Sequence, residues 1–303
     1  MYKNKNKKII SRIYGGIGNQ LFCYAAGRRL ALTNNIDLLI DNTSGFRYEL
    51  KYPRHYQLDH FSITCAKVEP IGQFELYSRL NRLITRTYNY CVPFNERSYI
   101  QEEGLDFDQR LLQLRPRNTL YLDGYWQSEC YFKDIENIIR ADLQIKPPQD
   151  DVNLNVAHSI KNSLAAVAVH VRFFDATNSE GPNNISQDYY KHAVSRMESL
   201  VPGAHYFIFS DHPGMARTRI PLSDNRVTCV TNNQGDVNAY ADLWLMTLCT
   251  HFIIANSTFS WWGAWLAEAE GKLVIAPSLI TKQSNQANAW GFKGLLPVEW
   301  MKM

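Results

Sequence analysis

The sequence predicts an α/β protein built on parallel sheets, and three observations carry that prediction. Through the second half of the 303-residue chain, short apolar runs alternate with helix-length amphipathic segments. The chain also opens on a strand-like segment, a glycine-rich turn and a helical pattern in direct succession, the start of a βαβ unit. Between the halves, Lys146-Pro147-Pro148-Gln149-Asp150-Asp151 sets two prolines before a charged run and reads as a linker. Two domains follow, residues 1–148 and 149–303, with the last residues free to pack back on the first.

Composition allows this and excludes little else. Hydrophobic residues make up 45% and charged residues 20%, as in ordinary soluble proteins. A chain of this length buries about three-quarters of its unfolded surface, so it needs no disulfide or structural metal to fold. Its formal charge of +3 does not by itself imply a nucleic-acid partner. A basic cluster at Lys3, Lys5, Lys7, Lys8 and Arg12 reads first as a solvated terminus, and second as weak attraction to an anionic membrane face. The six cysteines lack C-x-x-C and zinc-ligand spacing, and Cys229 and Cys249 lie in apolar runs as ordinary buried thiols. No signal peptide is visible, and no apolar stretch approaches the roughly 18 residues of a membrane span. The expectation is a cytoplasmic protein, at most peripheral to the inner membrane face.

In order, Ile9–Tyr14 reads as the first strand and leads into Gly15-Gly16-Ile17-Gly18-Asn19-Gln20. Leu21, Tyr24, Ala25, Arg28 and Leu32 then fall at helical spacing. Glycines there permit positive φ and close backbone approach, and a helix N-terminus offers free N–H groups to an anion. The spacing fits neither the dinucleotide fingerprint nor the phosphate loop, so a tight packing turn is the plain alternative. Asp37–Asp41 is a second strand. Residues 46–117 scatter arginines among aromatics and give no clear period, as in a helical insert or a flexible region shaping an acceptor cleft. Asp106-Phe-Asp108 has the D-x-D spacing of metal-dependent sugar transferases, but no strand end lies beside it and chance is the better reading. Strand character returns at 120–124, with a helix through Ile138 and Ile139.

The second half reads as strands at 167–171, 205–210, 227–231, 252–256 and 272–277. Helices are expected at 189–200, 236–250 and 261–270. Three of these strand ends carry polar groups: His170, Arg172 and Asp175; Ser210 and Asp211; Asn256, Ser257 and Thr258. In a parallel sheet such ends share one edge, where ligands bind. Arginine presents a rigid fork to phosphate oxygens, and hydroxyls at a helix start meet an anion. Asp211 can accept from a ribose hydroxyl or a base N–H. Plain helix capping accounts equally for Ser257 and Thr258, and a turn for Asp211. Three such ends together favour a ligand, and the groups suit a nucleoside diphosphate.

These residues also carry a resemblance. Gly15-Gly-Ile-Gly-Asn-Gln-Leu-Phe22 with Tyr24-Ala25, Gly124-Tyr-Trp-Gln-Ser128 with Tyr131-Phe132, His170-x-Arg172-x-x-Asp175, Phe209-Ser-Asp211 and Ile254-Ala-Asn-Ser-Thr-Phe-Ser-Trp-Trp-Gly-Ala-Trp-Leu266 resemble the bacterial α-1,2-fucosyltransferases over most of the chain. The resemblance implies a GT-B-type fold, two Rossmann-like domains with parallel sheets facing a cleft. It implies GDP-fucose as donor, a terminal galactose of a surface glycan or oligosaccharide as acceptor, inversion at the anomeric carbon, and neither metal nor cofactor. The second domain binds the donor and the first lies on the acceptor side. Carried over by residue, Arg172 holds the diphosphate and His170 supports that strand end. Ser257, Thr258 and Phe259 close over phosphates or nucleotide, with Ser210 and Asn256 beside them, and Asp211 faces ribose or guanine. Gly16, Asn19 and Gln20 face the transferred sugar, while Tyr125, Trp126 and Gln127 lie toward the acceptor. Family members commonly read His-x-Arg-Arg-Gly-Asp, whereas Phe173 and Phe174 stand here in place of the second arginine and the glycine.

Such a reaction builds positive charge on the sugar and negative charge on the leaving phosphate. Arg172 and the start of the helix at Ser257 are placed to take the latter. The resemblance makes Glu180 the first candidate for the base that takes the acceptor proton, with Asp175 second; a solvated loop residue is the plain reading of Glu180. Competing functions are an α-1,6-fucosyltransferase, a transferase of another GDP-sugar, and a catalytically inert sugar-nucleotide or glycan binder, which the Phe173-Phe174 pair favours.

Overall fold

The computed structural model describes residues 7–47, 53–68, 79–89, 91–174, 181, 183–278 and 290–303. The chain divides into two compact units, Met1–Gln144 with Lys293–Leu295, and Ile145–Phe292 with Leu296–Met303. The division falls four residues before the expected boundary at 148/149, because Ile145 is already buried and carries both prolines into the second unit. Of the closing segment, only 293–295 joins the first unit. There Lys293 N–H donates to Asp106 Oδ1 (3.1 Å) and Ser128 Oγ donates to the Gly294 carbonyl (2.7 Å).

In the first unit, β1 (Lys8–Arg12), β2 (Asp37–Asp41), β3 (Ala66–Lys67), β4 (Tyr99–Gln101) and β5 (Leu120–Asp123) form one sheet in the order β3-β2-β1-β5-β4. Every neighbouring pair is parallel. Helix α1 (Ile17–Asn34) lies close on β1 and β2: a Cβ on Gly27 would stand 3.0 Å from Ser11 Cβ and 3.2 Å from Leu38 Cδ1. It ends at Asn35, whose left-handed φ of 53° returns its N–H to Ala31 and Leu32. The opaque stretch 46–117 proves to supply β3, helix α2 (Arg79–Asn89) and β4. Strands of two and three residues are too short to show a period of two, which is why they escaped the pattern. Helix α3 (Glu136–Asp142) is tied to α1 through Asp142, which accepts from Tyr24 Oη and Arg28 Nε at 2.7 Å each.

In the second unit, β6 (Ala166–Val171), β7 (His205–Ser210), β8 (Val227–Cys229), β9 (His251–Ile253), β10 (Val274–Ala276) and β11 (Met301–Lys302) run in the order β11-β10-β9-β6-β7-β8. All pairs are again parallel. Counted within the unit, the order is 3-2-1-4-5-6, the nucleotide-binding arrangement. Helices α4 (Asp151–Asn162), α5 (Gln187–Leu200), α6 (Pro213–Thr218), α7 (Ala239–Thr247) and α8 (Thr258–Leu266) complete it. The sequence pattern missed α4, α6 and β11, and placed the last strand at β10.

As its apolar run requires, β6 is buried at every position. Its Val167, Val169 and Val171 pack with Tyr190, Met197, Tyr206 and Ile208. The apolar side of α8 forms a tryptophan cluster. Trp261 and Trp262 rings lie 5.0 Å apart, Trp262 and Trp265 5.2 Å, and Trp261 and Trp300 5.5 Å. Gly263 lets α8 approach α7, since a Cβ there would sit 3.1 Å from Met246 Cε.

Candidate functional site

In the second unit the chain leaves β6 toward β7 on one side and reaches β9 on the other. The carboxyl ends of β6 and β9 therefore flank the topological switch point, where open α/β sheets hold their ligands. His170 and Arg172 stand at one end, Asn256 and Ser257 just beyond the other.

The His170 side chain is buried, with Nδ1 2.9 Å from Ser260 Oγ and its ring 5.2 Å from that of Phe259. Ser260 Oγ also lies 3.2 Å from the Ser257 carbonyl, so it can donate there while accepting from His170 Nδ1. Burial, assisted by the Arg172 charge, lowers the His170 pKa to about 3. A neutral, enclosed imidazole cannot be a proton donor near neutral pH. It braces α8 against the end of β6.

Arg172 Nη1 pairs with Asp211 Oδ2 at 2.8 Å, both side chains about a quarter exposed. The other oxygen, Asp211 Oδ1, accepts from Phe173 N–H (3.2 Å) and Ser210 Oγ (3.4 Å). Ser210 Oγ in turn accepts from His212 N–H (3.0 Å). The expected ribose or base acceptor is thus first an orienting partner of Arg172. The Phe174 ring lies 5.3 Å from the Arg172 guanidinium, and buried Phe173 stands 5.6 Å from that of Arg219. The two aromatic residues that break the family motif each face a cation.

Asp175 and Glu180 lie outside the described residues. The flanks of their segment converge: Phe174 N–H donates to Asn184 Oδ1 (2.7 Å), and Asn256 Nδ2 donates to the Asn183 carbonyl (3.2 Å). Asn256 is 5% exposed, and its Oδ1 is buried without a hydrogen-bond partner. An orphaned acceptor at the switch point suits a ligand donor. Ser257 Oγ accepts from Phe259 N–H (3.3 Å), so the hydroxyl expected on a phosphate is engaged as the cap of α8, on which Thr258 is the first residue. The Phe259 ring, expected over the nucleotide, packs on His170.

In the first unit the corresponding switch point lies between β1 and β5. Gly15 has φ of 74° and Gly16 precedes α1. Asn19 Oδ1 accepts from Gln127 Nε2 at 2.8 Å. Gln20, expected to face a ligand, faces inward instead: it is fully buried, donating to the Gly15 (2.9 Å) and His55 (2.8 Å) carbonyls and accepting from Gln57 N–H (2.9 Å). A carboxamide so engaged is a loop brace, which corrects its assignment to the donor. Trp126, expected at the acceptor, is 1% exposed, so its side chain cannot serve as a surface platform. Tyr125 stacks on Tyr14 with centroids 4.4 Å apart, and Arg12 lies 4.6 Å from the Tyr14 ring.

Four participants escaped the sequence reading: Arg12, Tyr14, Glu102 and Asp123. Arg12 Nη1 bonds Asp123 Oδ1 at 2.9 Å, and Tyr99 Oη donates to Asp123 Oδ2. Glu102 Oε2 and Oε1 accept from the N–H groups of Tyr125 (2.8 Å) and Trp126 (2.9 Å). The only available signal was a carboxylate placed just past a strand, and β4 itself was not legible. Asp106 and Asp108 are accounted for locally, the latter by Arg110 Nε at 2.9 Å. Among the described residues no group of three or more His, Cys, Asp or Glu side chains could hold a metal ion.

Comparison with known proteins agrees with this layout. The chain is 26% identical to an α-1,2-colitosyltransferase of Escherichia coli over 89% of its length and 91% of the relative's. It is 27% identical to the O-antigen biosynthesis glycosyltransferase WbnK of the same organism, over 88% and 93%. Among solved structures, the fucosyltransferase NodZ from Bradyrhizobium is similar with a TM-score of 0.53 at 14% identity, covering 87% of this chain and 94% of that one. The GDP complex of an Arabidopsis thaliana FUT1 variant has a TM-score of 0.53 at 13% identity, covering 96% and 75%. These structural likenesses are of fold, the GT-B type built from two Rossmann-like units. The model of glycosyl transferase family 11 matches residues 78–294, most of the chain. On that match the chain belongs to glycosyl transferase family 11.

Proposed function

We propose that the protein is an inverting α-1,2-fucosyltransferase that moves fucose from GDP-fucose to the 2-hydroxyl of a terminal galactose on a surface glycan or oligosaccharide. The observation that carries this reading is the Arg172–Asp211 pair across the carboxyl ends of β6 and β7, with the orphaned Asn256 acceptor and the start of α8 following β9 on the other side of β6. A guanidinium held by a carboxylate is oriented before a diphosphate arrives, and preorganised charge of this kind stabilises a leaving phosphate. The charge comes from Arg172 and the helix start, so the reaction is proposed to run without metal or cofactor. GDP should therefore raise the melting temperature in the presence of EDTA. The base is assigned to Glu180, with Asp175 second; GDP release by Glu180→Gln and Asp175→Asn decides between them.

A second donor has support in the named relative: colitose is fucose without its 3-hydroxyl, so GDP-colitose competes as substrate. The test is turnover of both donors with a panel of galactosides, with the product linkage read by NMR. Arg172→Ala should lower donor kcat/KM by about 10²-fold or more, the loss of a charge-assisted contact made to the leaving group. Wild-type donor turnover in that variant, or a 1→6 product, would overturn the assignment concerned.

Peripheral contact with an anionic membrane face is supported by α2. Leu83, Ile84 and Tyr88 on it are 59%, 59% and 69% exposed, Arg86 is exposed, and Arg79–Asn89 contains no acidic residue. Such a helix fits an anionic lipid surface, and its like charge disfavours pairing with a second copy. Among the described residues no helix is long and apolar enough to cross a membrane.

A further inference from the structure

We infer that Glu102 is a positioning residue for the acceptor, acting by holding the Gly124–Gln127 turn in a single left-handed form. This rests on the reading that Tyr125 and its neighbours lie on the acceptor side. The two oxygens of one carboxylate accept from the N–H groups of two consecutive residues, Tyr125 and Trp126. That fork fixes the peptide between them, and Trp126 adopts φ of 57°, a conformation that bulky side chains avoid unless their surroundings enforce it. Gly124 is clamped as well, since a Cβ there would stand 2.5 Å from Glu102 Cβ and 2.8 Å from Trp126 Cε2. The turn then sets two further buried side chains: Tyr125 stacks on Tyr14, and Gln127 Nε2 donates to Asn19 Oδ1.

Protonation should undo the fork. A neutral carboxyl keeps one good acceptor and turns the other oxygen into a donor, so one of the two N–H bonds is lost. Burial raises the Glu102 pKa to about 7, outweighing the two N–H donations, and the Asp123 charge adds to the rise. The other titratable groups around it are Tyr14 and Cys23, both held protonated by burial, Tyr131, and Arg12, which is paired to Asp123. None of these changes charge near neutral pH, so the turn tightens as pH rises through about 7 because Glu102 ionises.

The experiment is the pH profile of acceptor kcat/KM at saturating GDP-fucose, alongside acceptor-free donor hydrolysis. Wild type should lose about tenfold in acceptor kcat/KM per pH unit below the limb, with donor hydrolysis unchanged by this group. Glu102→Gln, which puts an NH2 donor in place of one of the two accepting oxygens, should sit about 10- to 100-fold low in acceptor kcat/KM with that limb gone, while GDP still raises its melting temperature as in wild type. A Glu102→Gln enzyme that keeps the wild-type limb and acceptor KM overturns the inference. Asp242, in the second unit, is the other carboxylate among the described residues that burial raises to about 7. Asp242→Asn should therefore leave the limb in place, and its disappearance there would refute the assignment even if Glu102→Gln failed to fold. Lactose binding by saturation-transfer NMR needs no turnover and should follow the same limb. If wild type releases no GDP with any galactoside yet binds lactose in this pH-dependent way, the proposed reaction fails and the role of Glu102 stands.

Discussion

His170 and Arg172 are two residues apart on one strand end, and their environments drive them to opposite roles. Arg172 stays partly exposed and oriented by Asp211, while His170 is enclosed by Ser260, Phe259 and Tyr190, whose hydroxyl donates to its carbonyl at 3.1 Å. The enclosure has a consequence for stability. In the unfolded chain this histidine titrates near the ordinary value of about 6.5, and in the folded one at about 3. Its folded-state pKa is depressed, so its contribution is complete above 6.5 and is lost as pH falls, at about 1.4 kcal/mol per pH unit between the two values. Urea unfolding of wild type against His170→Gln should show a shallower acid loss in the variant, whose amide can still meet Ser260. Parallel acid limbs in the two proteins would mean that the imidazole is not buried neutral. At this scale the sequence was legible where chemistry and position coincide, as in the strand end that exposes Arg172. It misled at Gln20, because a polar residue after a glycine turn looks ligand-facing until the backbone carbonyls that claim it are known.

Elements were legible in proportion to their length. The buried run of β6 and the eighteen-residue α1 stood out, whereas β3, β4 and β11 add only two or three residues each and are strands only because a neighbour pairs with them. Helix α4 was hidden by its own N-terminus: Asp150, which caps it through Asn153 N–H at 2.9 Å, sits in the polar run that reads as linker. Helix α2 lies within the stretch that gives no clear period, and its Leu83, Ile84 and Tyr88 are well exposed. Replacing Leu83 and Ile84 together by Glu should reduce sedimentation with phosphatidylglycerol vesicles by about tenfold and leave the low binding to phosphatidylcholine unchanged. Equal binding of variant and wild type to the anionic vesicles would remove α2 from any membrane contact.

For the molecule as a whole, alternation of strand and helix predicts two parallel sheets, and two are present. What alternation cannot supply is strand order, since that depends on which crossovers pack rather than on which segments are apolar. The order 3-2-1-4-5-6 in the second unit is completed by the last three residues: Met301 pairs with Ile275, Met303 N–H donates to the Ala276 carbonyl (3.0 Å), and Ser278 N–H donates to the Met303 carbonyl (2.6 Å). Removing Met301–Met303 should destabilise the second unit by about 2–3 kcal/mol, the loss of these bonds at about 1 kcal/mol each, with β10 left as an open edge. A urea midpoint unchanged by the deletion would show that β11 adds nothing to the sheet.

The tryptophan cluster on α8 also gives this molecule an optical identity. Six of its seven tryptophans belong to the second unit, and Trp126 is the single one in the first. Indoles 5.0 Å apart and inclined at 71°, as Trp261 and Trp262 are, couple their electronic transitions and split them into a circular-dichroism couplet. That couplet reports the second unit alone, whereas loss of Trp126 emission on its replacement by Phe isolates the first. The two halves of the chain can thus be followed separately by light absorbed from the same residue type.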